Sequence, residues 1–541
     1  MKMPKKTERG GPRMKRDFRK LFLVMLAGLF VISMAWGAPG SFAKEKRIKI
    51  NWVPYSIQPT DPNGEILKWI EEKFNADIDV WNMDESKFDE MVSLRMAAGE
   101  IPDFFRISKV ANLGNYVNQG VAAVIPNGYL KKYAPNIYKC IQENAPGFMD
   151  YGRINGKMYG IPIVSPTNIF HLPLVYREDW LKKVGVAKAP ETLAEFEKLM
   201  YKFAKEDPDG NGKKDTYGLS NTGMAAVFGA FGVPLNRWAK DDYFVKRGNR
   251  ILNAAVAPEL KSALALLHKW YQDGVLDPEF ITGENTGGYW ALSHAFINSR
   301  IGFSCSGNYY HWIPAGDYSQ VTPDGKKIPC DPGAIAKEIG LVNPAMKYAF
   351  GMPLQGPNGQ RGIFQFNRLM NFYAFGKQVE KDRAKMARIL QIFDFASASP
   401  DLDQRYRAQW GIQGKHWVWV DKEHEEKNFL PPYDKQDGYN HRLGACLWSD
   451  MPFPPKQMRE QWAYQHGLNK YGIESVIQFS LPSMVKYGAQ LLKMRDQMLI
   501  SIITGDKPVE WFDQYVKDYM RAGGAEVEKE VNQWYKANHK K

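Results

Sequence analysis

From Arg47 onward the chain takes turns between two hydrophobic rhythms, and that alternation narrows the fold more than any other feature of the sequence. RIKINWV (47–53) alternates polar and apolar residues as a half-buried strand does, and GEILKWIEEKFN (64–75) repeats its apolar positions at helical spacing. ADIDVWNM then predicts a strand and KFDEMVSLRMAAGE a helix. Strands alternating with helices build βαβ units, so the expected class is α/β with a mainly parallel sheet. The pattern returns further on. YGIPIV, PLVYRED, GFSCSG and YAFGMPL read as strands; ETLAEFEKLMYKFAKE, opened by Glu191 and Thr192, and PELKSALALLHKWYQDG, stopped by Gly274, read as helices. KDRAKMARILQIFDFASA, MVKYGAQLLKMRDQMLISIITG and EVEKEVNQWYKAN continue as amphipathic helices.

A single core stops growing near about 250–300 residues, so a chain of 541 residues predicts at least two lobes. No internal repeat or low-complexity linker separates them, which favours two α/β lobes joined by short crossings.

The first 43 residues stand apart. Nine Lys or Arg face only Glu8 and Asp17 there, and the apolar run LFLVMLAGLFVISMAWG leads to the small-residue site Ser41-Phe42-Ala43. This is the make-up of an export signal over 1–43, with Met14 as an alternative start. The run is short for a span of about 20 residues; an uncleaved anchor is the competing reading. No cysteine lies near the end of the run, so the mature protein is expected to be exported, periplasmic or extracellular, and not lipid-anchored. Without this segment the formal charge falls from +13 to about +6, a modest balance that gives no case for nucleic acid. Cys140, Cys305, Cys330 and Cys446 lack CxxC spacing, which argues against zinc or a dithiol redox site. Export permits disulfides without saying which cysteines pair.

DPDGNGKKDTYG (207–218) sets carboxylates and a carboxamide at alternate positions around two glycines. Calcium takes six or more oxygens, and such a loop delivers them from one short segment. Asp207, Asp209 and Asn211 stand at positions 1, 3 and 5, Gly212 allows the bend, Lys213 offers its carbonyl, and Asp215 follows. Position 12 is Gly218 rather than a bidentate Glu, which argues against a sensor that opens on binding. The alternative is a turn without an ion, since DG and NG pairs form turns unaided. An ion held here is expected to be structural.

The stretches MAAGEIPDFF (96–105), LKKYAPNI (130–137), INGKMYGIPI (154–163), VYREDWLKKVGV (175–186), DPDGNGKKD, WYQDGVLDPEF (270–280), GIQGKHW (411–417) and IITGDKPVEWFDQYV (502–516) together resemble the extracellular solute-binding proteins of ABC importers, in particular oligosaccharide binders such as the alginate-binding proteins. The resemblance implies a two-lobe periplasmic-binding-protein fold of type II, with a sugar held between the lobes. It implies lobe 1 at 44–165, lobe 2 at 166–348 with the calcium loop, a return to lobe 1 at 349–405, and the lobe 2 remainder with C-terminal helices at 406–541. It also implies a structural calcium on Asp207, Asp209, Asn211, Lys213 and Asp215. Thr216 stands where that family usually has a glutamate.

A pyranose presents apolar faces and equatorial hydroxyls, so a sugar site combines aromatic platforms with planar polar groups. In GNYYHWIPAG the candidates are Tyr310, His311 and Trp312, with Trp312 the leading platform; the His-Trp pair and Trp448 match sugar-contacting positions in the resemblance. Trp410 and Trp417 flank the GIQGKH loop, and Trp52 ends the first strand. Each is also readable as a packing aromatic. Arg368 and Asn371 follow a crossing between lobes; a guanidinium forks onto a carboxylate or a diol, with a salt bridge between lobes as the alternative. His171 reads as an interior histidine, and Asp103 with Arg106 as a cap.

The expected function is the binding subunit of an ABC transporter. It would capture an oligosaccharide, with an acidic one compatible with the charge, and deliver it as a monomer to membrane permease subunits. A polysaccharide-degrading enzyme needs two carboxylates at a defined separation, and no compact motif nominates them. A sensory subunit would share the same cleft. No GxxxxGK[ST] loop is present, so the chain does not power transport, and His424-Glu425-Glu426 lacks the second histidine of a zinc motif.

Overall fold

The computed structural model describes residues 46–538, apart from 55–59, 84–87, 109, 111, 146, 165–169, 237–242, 284–290, 315–319, 322–326, 329–331, 423–425, 431–442 and 444–458. Along the first lobe run β1 (Ile48–Val53), α1 (Glu65–Phe74), β2 (Ala76–Val80), α2 (Phe88–Ala97), β3 (Phe104–Ile107), α3 (Asn112–Asn118), α4 (Pro135–Asn144) and β4 (Gly160–Val164). Asn75 closes α1 in the left-handed region (φ 48°), which lets β2 begin one residue later. β1 pairs in parallel with β2 and with β3, setting Ile50 opposite Ile78 and Trp52 opposite Phe104.

The second lobe holds β5 (Leu174–Arg177), α5 (Leu193–Lys205), β6 (Tyr217–Leu219), α6 (Met224–Ala230), α7 (Glu259–Gln272), β7 (Ile301–Ser304) and β8 (Tyr348–Gly351). α5 starts as its sequence predicts: Thr192 Oγ1 accepts from the Glu195 N–H at 3.2 Å, and the Glu195 carboxylate accepts from the Thr192 N–H at 3.1 Å. The chain then returns to the first lobe as β9 (Leu369–Phe375) and α8 (Arg383–Ala398). It ends in α9 (Arg459–Gly467), α10 (Pro482–Thr504), α11 (Trp511–Tyr519) and α12 (Ala525–Asn538).

Strand order is β2-β1-β3-β9-β4 in one sheet and β8-β5-β7-β6 in the other. Both sheets are mainly parallel, as expected, with one strand reversed in each. β9 runs antiparallel to both β3 and β4, and β5 runs antiparallel to β7 and β8, leaving β6 and β7 as the parallel pair of the second sheet. The physical reason is the crossing itself, since a strand that re-enters from the other lobe arrives from the opposite end of the sheet. β8 pairs with β5 of the second lobe, and β9 is the next strand to join the first-lobe sheet. First-lobe contacts then run past 405, with Arg407 over the Trp69 ring and Lys415 paired to Glu65.

Each lobe has its own core. Trp52, Phe104, Tyr373 and Phe393 centre the first, with Trp52 and Phe104 ring centroids 4.8 Å apart. Asp394, buried on α8, accepts from the Ile137 N–H (2.8 Å) and the Asn136 amide (2.7 Å), satisfying the start of α4, which has no cap of its own. The second core joins β5, α5, α6 and α7 to the C-terminal helices α10 to α12. Crossing segments are stitched side by side: Phe366 N–H donates to Phe170 O at 2.8 Å, and Ile363–Phe364 pairs with Gly472–Ile473. His171 is fully buried among them, hydrogen-bonded to Gln465 at 2.7 Å. Asp103 accepts from the Asn51 N–H and pairs with Lys385, joining β1 to α8. Among the described residues no helix is long and apolar enough to cross a membrane.

Candidate ligand face and metal loop

Where β6 and β7 end side by side, both strands run out into small polar residues. Ser220, Asn221 and Thr222 follow β6; Ser304, Cys305 and Ser306 end β7, and all six are buried. Thr222 Oγ1 bonds Ser304 Oγ (2.8 Å), which bonds Ser306 Oγ (2.6 Å). Asn221 does not share in this chain. It is 3% exposed, and neither its Nδ2 nor its Oδ1 has a hydrogen-bond partner; Ser220 Oγ, fully buried, has none either. Several buried side chains leave one polar atom unpaired, but among the described residues Asn221 alone leaves two. Each such group costs about 1–3 kcal/mol unless something supplies the missing bond.

The surroundings place this amide. The wholly buried α6 follows it and packs against the crossing: a Cβ on Gly229 would meet the Gly362 carbonyl at 2.2 Å, so only glycine allows the approach. Asn221 therefore sits at the carboxyl ends of parallel strands, beside the crossings, which is where ligands bind in sheets of this kind. On the first lobe the corresponding strand ends hold Thr60, whose buried Oγ1 lacks a partner, clamped by Asn82 Oδ1 to its N–H (2.6 Å) and Asn82 Nδ2 to its carbonyl (2.9 Å). Asn371 on β9 is 6% exposed and leaves its Oδ1 unpaired.

The sequence candidates divide accordingly. Asn371 lies on β9 opposite Ile163, and the half-buried Tyr310 packs edge-on against Phe170 at the first crossing. Trp312 is corrected: it is fully buried against Phe296 and Tyr348 (5.8 and 5.1 Å), its Nε1 donates to Ser306 O (2.9 Å), and no ring face is left for a sugar. Trp52 is corrected in the same way, lying in the first-lobe core. So is Trp417, which is buried with Tyr406 and Trp419 and donates to Gly411 O (2.8 Å). Trp410 is half-buried on the edge of that cluster. Arg368 is drawn to Glu474 (3.0 Å) and lies over the Phe148 ring, so the salt-bridge reading describes it better than a sugar contact. Trp448, like Cys330, Cys446, residues 1–43 and His424, lies outside the described residues.

His311 is 2% exposed, and its Nδ1 accepts from the Asn308 N–H at 2.8 Å. Burial pushes its pKa down to about 4. A value depressed on folding means stability that is present above the ordinary histidine range near 6.5 and lost as pH falls through 4. Melting temperature is therefore expected to drop between pH 6.5 and 4, with up to about 3 kcal/mol at stake, and His311→Gln to flatten part of that drop. A wild-type pH profile unchanged by the substitution would show that the ring is not the group responsible.

The aspartate loop keeps the turns its glycines allow, with Asp207, Gly210 and Gly212 at φ 47°, 75° and 75°. Asp207 accepts from the Gly212 and Asn211 N–H groups (3.0 and 3.2 Å). The Asn211 amide nitrogen lies 2.8 Å from Asp209 Oδ2 and 3.2 and 3.3 Å from the two oxygens of Asp215. Burial and the neighbouring Asp207 and Asp215 push the Asp209 carboxyl above its usual range. Among the described residues no group of three or more His, Cys, Asp or Glu is placed to hold a metal ion. What the loop shows is carboxylates gathered around one polarised N–H₂, which occupies the place a cation would take. Turning that amide end for end would present Oδ1 there instead. These residues fit a calcium ion, with one exception: Thr216, 4% exposed, is turned away and donates to Phe203 O (2.9 Å), so it is corrected from ligand to anchor of α5.

Residues 65–385 match the model of a bacterial extracellular solute-binding protein family. The polygalacturonan/rhamnogalacturonan-binding protein YtcQ of Bacillus subtilis (strain 168) is 22% identical, over 92% of this chain and 93% of that one. Among solved structures, alginate-binding protein AlgQ2 without calcium ion aligns at a TM-score of 0.62 and 17% identity, covering 92% of this chain and 99% of that one. An EF-hand mutant of the Streptococcus pneumoniae substrate-binding protein FusA, in complex with fructo-nystose, aligns at 0.60 and 18%, covering 91% and 100%.

Proposed function

Since the chain belongs to the bacterial extracellular solute-binding protein family, we propose that it captures an oligosaccharide between its lobes and delivers it to the permease of an ABC transporter. The observation that carries this reading is Asn221, a buried amide with both polar atoms unpaired at the carboxyl end of β6. A hydroxyl of the sugar accepts from its Nδ2 and another donates to its Oδ1, and a pair of vicinal hydroxyls satisfies both. Thr60 and Asn371 are the first-lobe residues offered as its counterparts, each with a buried side-chain oxygen left unpaired. Closure of the lobes is favoured because the closed form alone lets both faces bond the ligand, and no bond is broken. YtcQ and AlgQ2 bind uronate polymers by name, so acidic oligosaccharides are the first to test.

A structural calcium on Asp207, Asp209, Asn211, Asp215 and the Lys213 carbonyl belongs to the same reading. So do export directed by residues 1–43, release without a lipid anchor, and a monomeric state.

The test is a thermal-shift screen of the chain from Lys44 onward against neutral and acidic oligosaccharides, with each mixture assayed for cleavage. An intact sugar is expected to raise the melting temperature in proportion to the logarithm of its concentration above Kd. Shortened sugar without lasting stabilisation would replace this reading with an enzyme.

A further inference from the structure

Away from the Asn221 group, a second cavity of about 320 Å³ opens between the first lobe and the C-terminal helices. Its floor is aromatic. Tyr151 of the first lobe meets Phe479 and Trp534 of the C-terminal segment at ring-centroid distances of 4.9 and 5.6 Å, and those two rings lie 5.1 Å apart. Val485, 43% exposed and so one of the few large apolar side chains left in water, extends that floor to the rim. The lining also includes three carboxamides, Asn115 and Asn118 from α3 and Asn155 from the tight turn of a small hairpin.

Charge in the cavity is uneven. The Glu530 carboxylate is occupied at the start of α10 by the Ser483 N–H (2.8 Å) and the Ser483 hydroxyl. Arg153 makes a 3.4 Å surface contact with Asp150, of a kind worth little, and a long 3.5 Å bond to Gly156 O. Three mutually tilted aromatic rings, carboxamides and a guanidinium lining one cavity suit a ring with apolar faces, hydroxyls around its equator and one carboxylate. The volume lies at the small end of ligand cavities, which suits one ring rather than a chain.

We propose that this cavity is a second sugar site, taking a single pyranose ring and preferring a uronate to a neutral sugar. It rests on the oligosaccharide reading for the class of ligand but shares no residue with the Asn221 group. Because its walls come from the first lobe and from helices packed on the second, its occupancy is linked to how the lobes sit, and so to affinity in the cleft.

The experiment is saturation-transfer NMR of methyl galactopyranosiduronate and methyl glucopyranoside on the chain from Lys44. Three forms are compared: wild type, Asn221→Leu, and a double variant combining Asn118→Ala with Asn155→Gly. Asn118 and Asn155 are exposed, and glycine keeps the left-handed backbone of Asn155 (φ 50°), so the double variant retains its fold. The uronoside is expected to bind wild type and Asn221→Leu alike, more tightly than the neutral glycoside, and to lose at least about tenfold in affinity in the double variant, some 1.4 kcal/mol. Absence of transfer in wild type, its loss in Asn221→Leu, or its survival in the double variant each overturns the site; equal binding of both glycosides overturns the uronate preference. Oligosaccharide-induced melting shifts on the same three proteins report the cleft separately, so failure of one site is not mistaken for failure of the other.

Discussion

Asn221→Leu is expected to weaken oligosaccharide binding by about 10- to 100-fold while raising the melting temperature of the ligand-free protein. The two halves come from one cause. In the free protein the amide is buried with neither polar atom paired, a state that disfavours folding by about 1–3 kcal/mol for each orphaned group. Leucine has nearly the same volume and nothing to satisfy, so the ligand-free fold gains. A bound sugar has the reverse preference: its hydroxyls lose water on entering and then find a methyl group, which costs about 1–3 kcal/mol, or one to two decades in Kd. A residue serving only as packing would show loss of stability with intact affinity. An affinity within twofold of wild type, whatever the melting temperature does, would remove Asn221 from the site.

Calcium is expected to stabilise the wild-type protein by about 2.7 kcal/mol at a hundredfold excess over its Kd, and the combined Asp207→Ala and Asp215→Ala variant to lose that stabilisation entirely. The loop brings Asp209 and Asp215 onto a single amide nitrogen and sets Asp207 against the Gly212 N–H. The bonds these carboxylates accept come from N–H dipoles, and a divalent ion would replace those partial charges with a full one. Because the loop joins the end of α5 to β6, and Asn221 lies just past β6, chelation is also expected to loosen the strand that carries the ligand face. Melting curves with and without chelator measure the first effect. Coincident curves for the wild type would show that the loop is a turn and nothing more.

Local rules in the sequence carried much of the fold. Thr192 and Glu195 form the reciprocal cap their spacing predicts, and Gly274 ends its helix in the left-handed region (φ 66°). The one reversed strand in each sheet was not legible, because its direction depends on which lobe the chain is returning from, and that is fixed by pairings such as Phe372 with Ile107 between residues remote in sequence. The aromatic candidates failed for a related reason. A tryptophan after a strand is equally suited to a sugar platform or a core, and what decided Trp312 was Phe296 and Tyr348 closing over it. Asn221 went unnoticed although a signal existed: SNTG directly follows the strand YGL, so the strand-end rule that drew attention to Trp52 applied there too.

The place of β9 bears on how the molecule is made. It is inserted between β3 and β4, which are left with open edges until residues 369–375 have been synthesised and have found them. Half the chain can therefore exist without a finished domain. Contacts this distant in sequence form late and slowly, and the first lobe cannot mature ahead of the second as the leading domain of a tandem protein does. Under the export proposed for residues 1–43 that order would have a use: a first lobe that stays open until residues 369–375 are made leaves the leading part of the chain a linear thread for the export machinery.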